Sequence, residues 1–186
     1  MTILSREASA MKRLGIWAGS LAWMIFLFWL SSENGEATTR TSRALAVFLL
    51  PLLRLSPEHL LPLEAALRSA AHFVGFFILG LLAYAAVRLT WKQAKGAALW
   101  AIGVCSALGI ADEVKKLWIA GRHLHWEEAG LNVLGACCGV ALCGMLFALG
   151  KAIRKKRTRS FQKSGGWSLA PRRPGSAERW KGPQAR

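Results

Sequence analysis

The sequence predicts an all-α, polytopic membrane protein with about four transmembrane helices and one short re-entrant or interfacial segment. Three observations carry this. Of the 186 residues, 53% are hydrophobic, and they fall in near-continuous blocks rather than along one amphipathic face. Four of the blocks approach the roughly 20 residues a helix needs to cross the hydrocarbon core of a bilayer. Nine tryptophans against a single tyrosine, Tyr84, suit a chain anchored at lipid–water boundaries. At this length, with a mean hydropathy of +0.30, one membrane domain is expected and a second folded domain is not.

The spanning helices are expected at about Leu14–Leu30, Ala70–Val87, Gly96–Ala111 and Leu131–Leu149. The third is short and contains glycine, so it tilts or locally thins the bilayer. A fifth apolar block, Ala44–Leu55, is broken by Pro51 and followed by Arg54 and Pro57. At about a dozen residues it is too short to span, which makes it the re-entrant or interfacial segment. The first block follows Arg6, Lys12 and Arg13 as a signal peptide would. Its apolar run is longer than a signal core, and Leu30-Ser31-Ser32-Glu33 offers no small-x-small cleavage site, so an uncleaved helix is expected.

Lysine and arginine set the orientation. The segment 1–13 carries Arg6, Lys12 and Arg13, and the loop 88–95 carries Arg88, Lys92 and Lys95. The tail after Leu149 holds twelve bases against one acid, Glu178, which accounts for most of the chain's net charge of +15. The two remaining loops mix signs. Both termini should therefore be cytoplasmic and the mixed-charge loops on the other side. The tail, residues 150–186, is rich in Ser, Gly and Pro. It is expected to be disordered, to enforce topology and to touch anionic headgroups. Its composition lacks the fold and the aromatic-basic pattern of a nucleic-acid binder, so no nucleic-acid partner is expected.

Function is expected in the run from Asp112 to Gly135, where acids, bases and amides gather between two apolar blocks. Ionised groups cost roughly 2.5–3.5 kcal/mol each at a bilayer centre, so they collect at its edge, in a polar cavity, or in pairs. Arg68 and His72 share a face at the start of the second spanning helix. Asp112 is expected to cap a new short helix, with Glu113 beside it. Arg122 offers a planar fork for a carboxylate or phosphate, or a partner for Asp112. Glu128, Asn132, Gly135 and Gly139 recur at helical spacing on the last helix. Gly135 and Gly139 form a small-xxx-small seam for helix packing, and Asn132 beside it suits an interhelical hydrogen bond. His123 and His125 with Glu127 and Glu128 resemble a metal site only superficially, because Arg122 and two lysines crowd them. Cys105, Cys137, Cys138 and Cys143 lie inside apolar segments without ligand spacing and read as packing residues. Neither a metal nor another cofactor is expected.

Taken in order, these features resemble the VanZ-like membrane protein family. Ser31-Ser32 after the first helix is similar to its Phe-x-Ser-Ser signature. Arg68-Ser-Ala-Ala-His72-Phe73 with Leu79-Gly80 is similar to its Arg-Lys-x-Ala-His-Phe segment. Asp112-Glu113, Arg122, Glu128, Asn132 and Gly135 follow its Asp-Glu…Arg…Asp…Asn…Gly order. The chain departs from the pattern at Ser69 (for lysine), Gly75 (for an acid), Phe76 (for tyrosine), Lys116 (for glutamine) and Glu128 (for aspartate). The resemblance covers roughly residues 14–149. It implies a multi-pass protein of the bacterial cytoplasmic membrane, in a family whose named member confers low-level teicoplanin resistance; it brings no catalytic mechanism.

Arg68, His72, Asp112, Glu113, Arg122, Glu128 and Asn132 are thus candidate ligand-binding residues. Beyond membrane lipids, the expected partner is an anionic lipid, a lipid-linked wall precursor or a glycopeptide drug. The alternatives are an enzyme acting on a polyprenyl- or lipid-linked substrate, a purely structural or partner protein, and a small transporter.

Overall fold

The computed structural model describes residues 2–33, 35–91, 96–119 and 121–163. Two compact units divide the chain, Met1–Ala148 and Leu149–Arg186. Five α-helices follow one another, α1 Thr2–Leu30, α2 Gly35–Leu52, α3 Leu60–Thr90, α4 Ala97–Lys115 and α5 Trp126–Lys163. Short 3-10 turns at Pro57–His59 and Lys116–Trp118 precede α3 and follow α4. Among the described residues there is no strand.

Four helical stretches are long and apolar enough to cross a membrane, namely Glu7–Leu30, Pro57–Thr90, Ala97–Trp118 and Trp126–Ser160. The molecule is a helical membrane protein whose outer surface is itself apolar. Phe48, Leu99 and Met145 stand mostly exposed, as side chains that meet lipid tails do. Helix α3 is central, with α1, α2 and α4 packed on it. The buried centre is small, built on Phe76, Leu79, Cys105 and Ala136, with Trp23, Met24 and Leu27 of α1 against it. Trp23 donates its indole N–H to the Gly75 carbonyl at 2.9 Å, and Trp17 donates to Thr90 Oγ1 at 2.9 Å, so polar bonds pin α1 to α3 at two levels.

Glycine decides how α5 meets α3. A Cβ on Gly135 or Gly139 would run into the carbonyl oxygen of Phe73 or Phe77, and one on Gly80 into the backbone of Ala136. The two helices touch main chain to main chain, which only hydrogen-sized side chains permit.

Several boundaries differ from those the apolar blocks suggest. Helix α1 begins at Thr2 instead of Leu14, and α3 at Leu60 instead of Ala70, because a helix does not stop where its residues turn polar. The segment around Pro51 is a complete 18-residue helix, α2, that starts at Gly35 with Glu36 in its first turn. A glutamate there is favoured by the helix dipole. Proline near the far end removes only one internal donor. In the second unit, residues 149–163 are helical, whereas the sequence suggested a disordered tail from 150. Lysine and arginine are good helix formers, and near a helix C-terminus their charge suits the dipole. Lys92 and Lys95 of the 88–95 loop, and the tail bases Arg172, Arg173, Arg179, Lys181 and Arg186, lie outside the described residues.

A candidate ligand site built around a buried ion network

The last turn of α4 reads Asp112-Glu113-Val114-Lys115-Lys116, two acids each followed three residues later by a base. On a helix that spacing brings each pair together. Asp112 Oδ1 lies 3.2 Å from Lys115 Nζ, and Glu113 Oε1 lies 2.6 Å from Lys116 Nζ. Because the lysines neutralise them, the acids are tolerated near the helix C-terminus. Asp112 consequently does not cap a new helix; it sits inside the old one.

Lys116 is the hub. Its ammonium is 1% exposed and also donates to Glu128 Oε2 at 2.6 Å, across to the first turn of α5. Glu128 in turn lies 3.0 Å from Nε2 of His72 on α3. The other ring nitrogen, Nδ1, is 3.1 Å from Asn132 Oδ1. Asn132 is fully buried and donates its amide N–H to the Gly109 carbonyl at 3.3 Å, which turns its oxygen toward the imidazole. The Nδ1 edge thus faces the Asn132 amide oxygen, and the Nε2 edge faces Glu128 and, at 3.5 Å, Lys116 Nζ. Both carboxylates share the Lys116 ammonium, and pairing of this kind is what a buried ionic group requires. The network ties α3, α4 and α5 together at one end of the helices.

Lys115 works in the other direction. It donates to the Phe28 carbonyl at 2.8 Å and to Ser32 Oγ at 3.1 Å, and lies 4.7 Å from the centre of the Phe28 ring. The end of α1 is thereby fixed to α4. Arg122 follows Gly121, whose φ of 72° is a turn conformation that favours glycine. Its Nε donates to the Glu33 carbonyl at 3.2 Å, and one terminal nitrogen donates to the Ser31 carbonyl at 3.4 Å and Thr38 Oγ1 at 3.0 Å. The guanidinium straps the α4–α5 loop to the α1–α2 connection; it does not pair with Asp112, which holds Lys115.

Beside the network is a cavity of about 210 Å³ between α1, α2, α3 and the end of α4. Leu27, Leu30, Leu45, Leu67 and Phe76 make most of its wall. Polar residues line it as well, among them Ser31, Arg68, His72, Asp112 and Arg122, with Thr38, Thr41 and Ser42 of α2. Arg68 lies one turn after Glu64, at 3.4 Å, and Glu64 is shared with Arg43 of α2, also at 3.4 Å. One carboxylate thus serves two guanidinium groups. Ser31 Oγ and Arg68 Nε are buried without a hydrogen-bond partner among the described residues. A buried unmet donor costs roughly 1–3 kcal/mol.

The structure accordingly divides the candidate residues in two. His72, Glu113, Glu128 and Asn132 join the ion network, while Arg68 and Arg122 stand on the cavity wall. His72 belongs to both, and Asp112 lies on the wall and against Lys115. Gly135 and Gly139 lie against α3. Sequence reasoning missed Lys115, Lys116 and Glu64 as site-forming groups. The i, i+3 spacing of Asp-Glu-x-Lys-Lys and the i, i+4 spacing of Glu64 and Arg68 were the available signals.

The donor atoms of His72, Asp112 and Glu113 lie within 4.8 Å of one another, close enough to share a metal ion. Lys115 and Lys116 already sit on the two carboxylates, so an ion there would have to displace both ammonium groups. No curated protein and no solved structure matches the chain. The model of the VanZ/LLP1 family matches residues 16–147, the stretch that supplies every helix around the cavity and the network, and the chain belongs to that family.

Proposed function

We propose that this VanZ-like protein acts at the bacterial cell envelope by binding an anionic, lipid-like molecule in the cavity between α1, α2 and α3. In this reading both termini are cytoplasmic, and the polar end of the helices faces the other side of the cytoplasmic membrane. The supporting observation is a cavity lining that is mostly apolar, with Leu27, Leu30, Leu45, Leu67 and Phe76, and that also includes Arg68 and Arg122. A pocket of that kind suits an apolar chain with an anionic head. Anionic membrane lipids, lipid-linked wall precursors and the lipid-bearing drug teicoplanin share this chemistry. Low-level teicoplanin resistance would follow from engaging either of the last two. The enzymatic alternative needs a free acid–base group, and both ring nitrogens of His72 are already engaged, by Asn132 and Glu128.

Filling the cavity tests the reading. Ala71 lines it, and Ala71→Trp should reduce the anionic lipid retained by the purified protein about tenfold, as measured by native mass spectrometry. In a Gram-positive host with membrane levels matched, the same change should remove any teicoplanin protection given by the wild type. Equal lipid retention by wild type and variant would refute the proposal.

A further inference from the structure

We infer that Ser31 and Arg68 form an oxyanion subsite in the cavity, one that takes the phosphate of the bound amphiphile. The inference rests on the amphiphile reading above and names the atoms that meet the head. Hydrogen-bond accounting points to it first. Ser20, Ser32 and Ser42 each donate the hydroxyl to a carbonyl one turn back in their own helix. Ser31 does not: its Oγ is buried and has no partner among the described residues. The Nε of Arg68 is in the same condition, and both residues line the cavity.

Charge points the same way. Glu64 divides its one negative charge between Arg43 and Arg68. Among the described residues, the side-chain hydrogen bonds of Arg122 go to neutral acceptors, the carbonyls of Glu33 and Ser31 and the Thr38 hydroxyl. Asp112 is matched by Lys115. Among the described residues on this side of the cavity, Glu33 and the shared Glu64 are then the acids set against Arg43, Arg68 and Arg122. A guanidinium edge presents two N–H groups to two oxygens of one anion, and a phosphate has a third oxygen for a serine hydroxyl.

The test uses the purified full-length protein in a maltoside detergent, titrated with dodecyl phosphate, dodecanol or inorganic phosphate and followed by tryptophan fluorescence. Dodecyl phosphate should bind the wild type at least tenfold more tightly than dodecanol. Ser31→Ala, and separately Arg68→Lys, should each weaken dodecyl phosphate about tenfold and leave dodecanol unchanged. Arg68→Lys keeps the charge and loses the Nε edge. Ser31→Ala removes one hydroxyl, so it remains informative if the lysine variant folds poorly. If both variants keep the wild-type preference for dodecyl phosphate, the head is held elsewhere; the subsite is then wrong and the amphiphile reading stands. If the wild type does not distinguish dodecyl phosphate from dodecanol, the amphiphile reading itself fails. If inorganic phosphate alone competes at similar concentrations and loses affinity in both variants, the subsite is upheld with free phosphate as its source.

Discussion

Lys116→Met is expected to be among the most damaging single changes in this protein. It leaves Glu113, fully buried, and Glu128 facing each other across α4 and α5 without the ammonium that lies 2.6 Å from both. Removing one partner of a buried ion pair typically costs about 3–5 kcal/mol, because the remaining charge stays desolvated, and here two carboxylates are affected. Folded protein in the membrane should fall severalfold, and the unfolding midpoint in detergent should drop by many degrees. The double variant Lys116→Met with Glu113→Gln should recover much of that loss, since it removes the orphaned charge while keeping the shape. If Lys116→Met melted with the wild type, the network would not hold the helices. The comparison also separates stability from binding, because the cavity wall carries Arg68 and Arg122 and leaves Lys116 out.

Gly139→Leu is expected to have the second large effect. Even a Cβ at this position meets the Phe77 carbonyl, part of the rigid main chain of α3. No rotamer can relieve that contact, so α3 and α5 must move apart. Overpacking commonly costs 1–3 kcal/mol, and a whole leucine against backbone should reach about the upper end of that range or beyond it. Separation would also pull His72 away from Asn132 and Glu128, which depend on the same close approach. Gly103→Ala on α4, where nothing lies within 4 Å of the added carbon, should melt like the wild type and serves as the control. Equal stability of Gly139→Leu and Gly103→Ala in a detergent-melting assay would contradict the backbone contact.

Much of the candidate site could be placed on helix faces before any coordinates. Glu128, Asn132, Gly135 and Gly139 share a face because of their spacing alone, and Arg68 and His72 share another. Partners were harder to assign. Arg122 read as a fork for a carboxylate or phosphate or as a partner for Asp112, yet its bonds go to carbonyls at the end of α1 and a hydroxyl at the start of α2, residues more than 80 positions earlier. Asp112 looked like a helix cap because a carboxylate near a helix C-terminus is unfavourable. The lysines three residues on remove that objection, and the helix runs through. Lys116 looked like one more charge in a mixed loop, and only its burial shows that it joins three elements. Local periodicity cannot report burial at a chain reversal, where helix geometry and loop geometry meet.

By itself the sequence determined the class of the protein: four helical stretches able to span a membrane, one shorter segment around Pro51, and a mixed-charge cluster between the last two spans. It did so because lipid imposes a single strong requirement, that backbone polar groups be satisfied within each apolar segment, and composition reports that requirement directly. The tertiary structure decided which charges neutralise one another, which donors stay unpaired, and that a cavity opens between α1, α2 and α3. Those outcomes depend on distances between residues far apart in the chain. A shift of an ångström or two turns a buried ion pair into a buried unpaired charge, and no one-dimensional pattern carries that information.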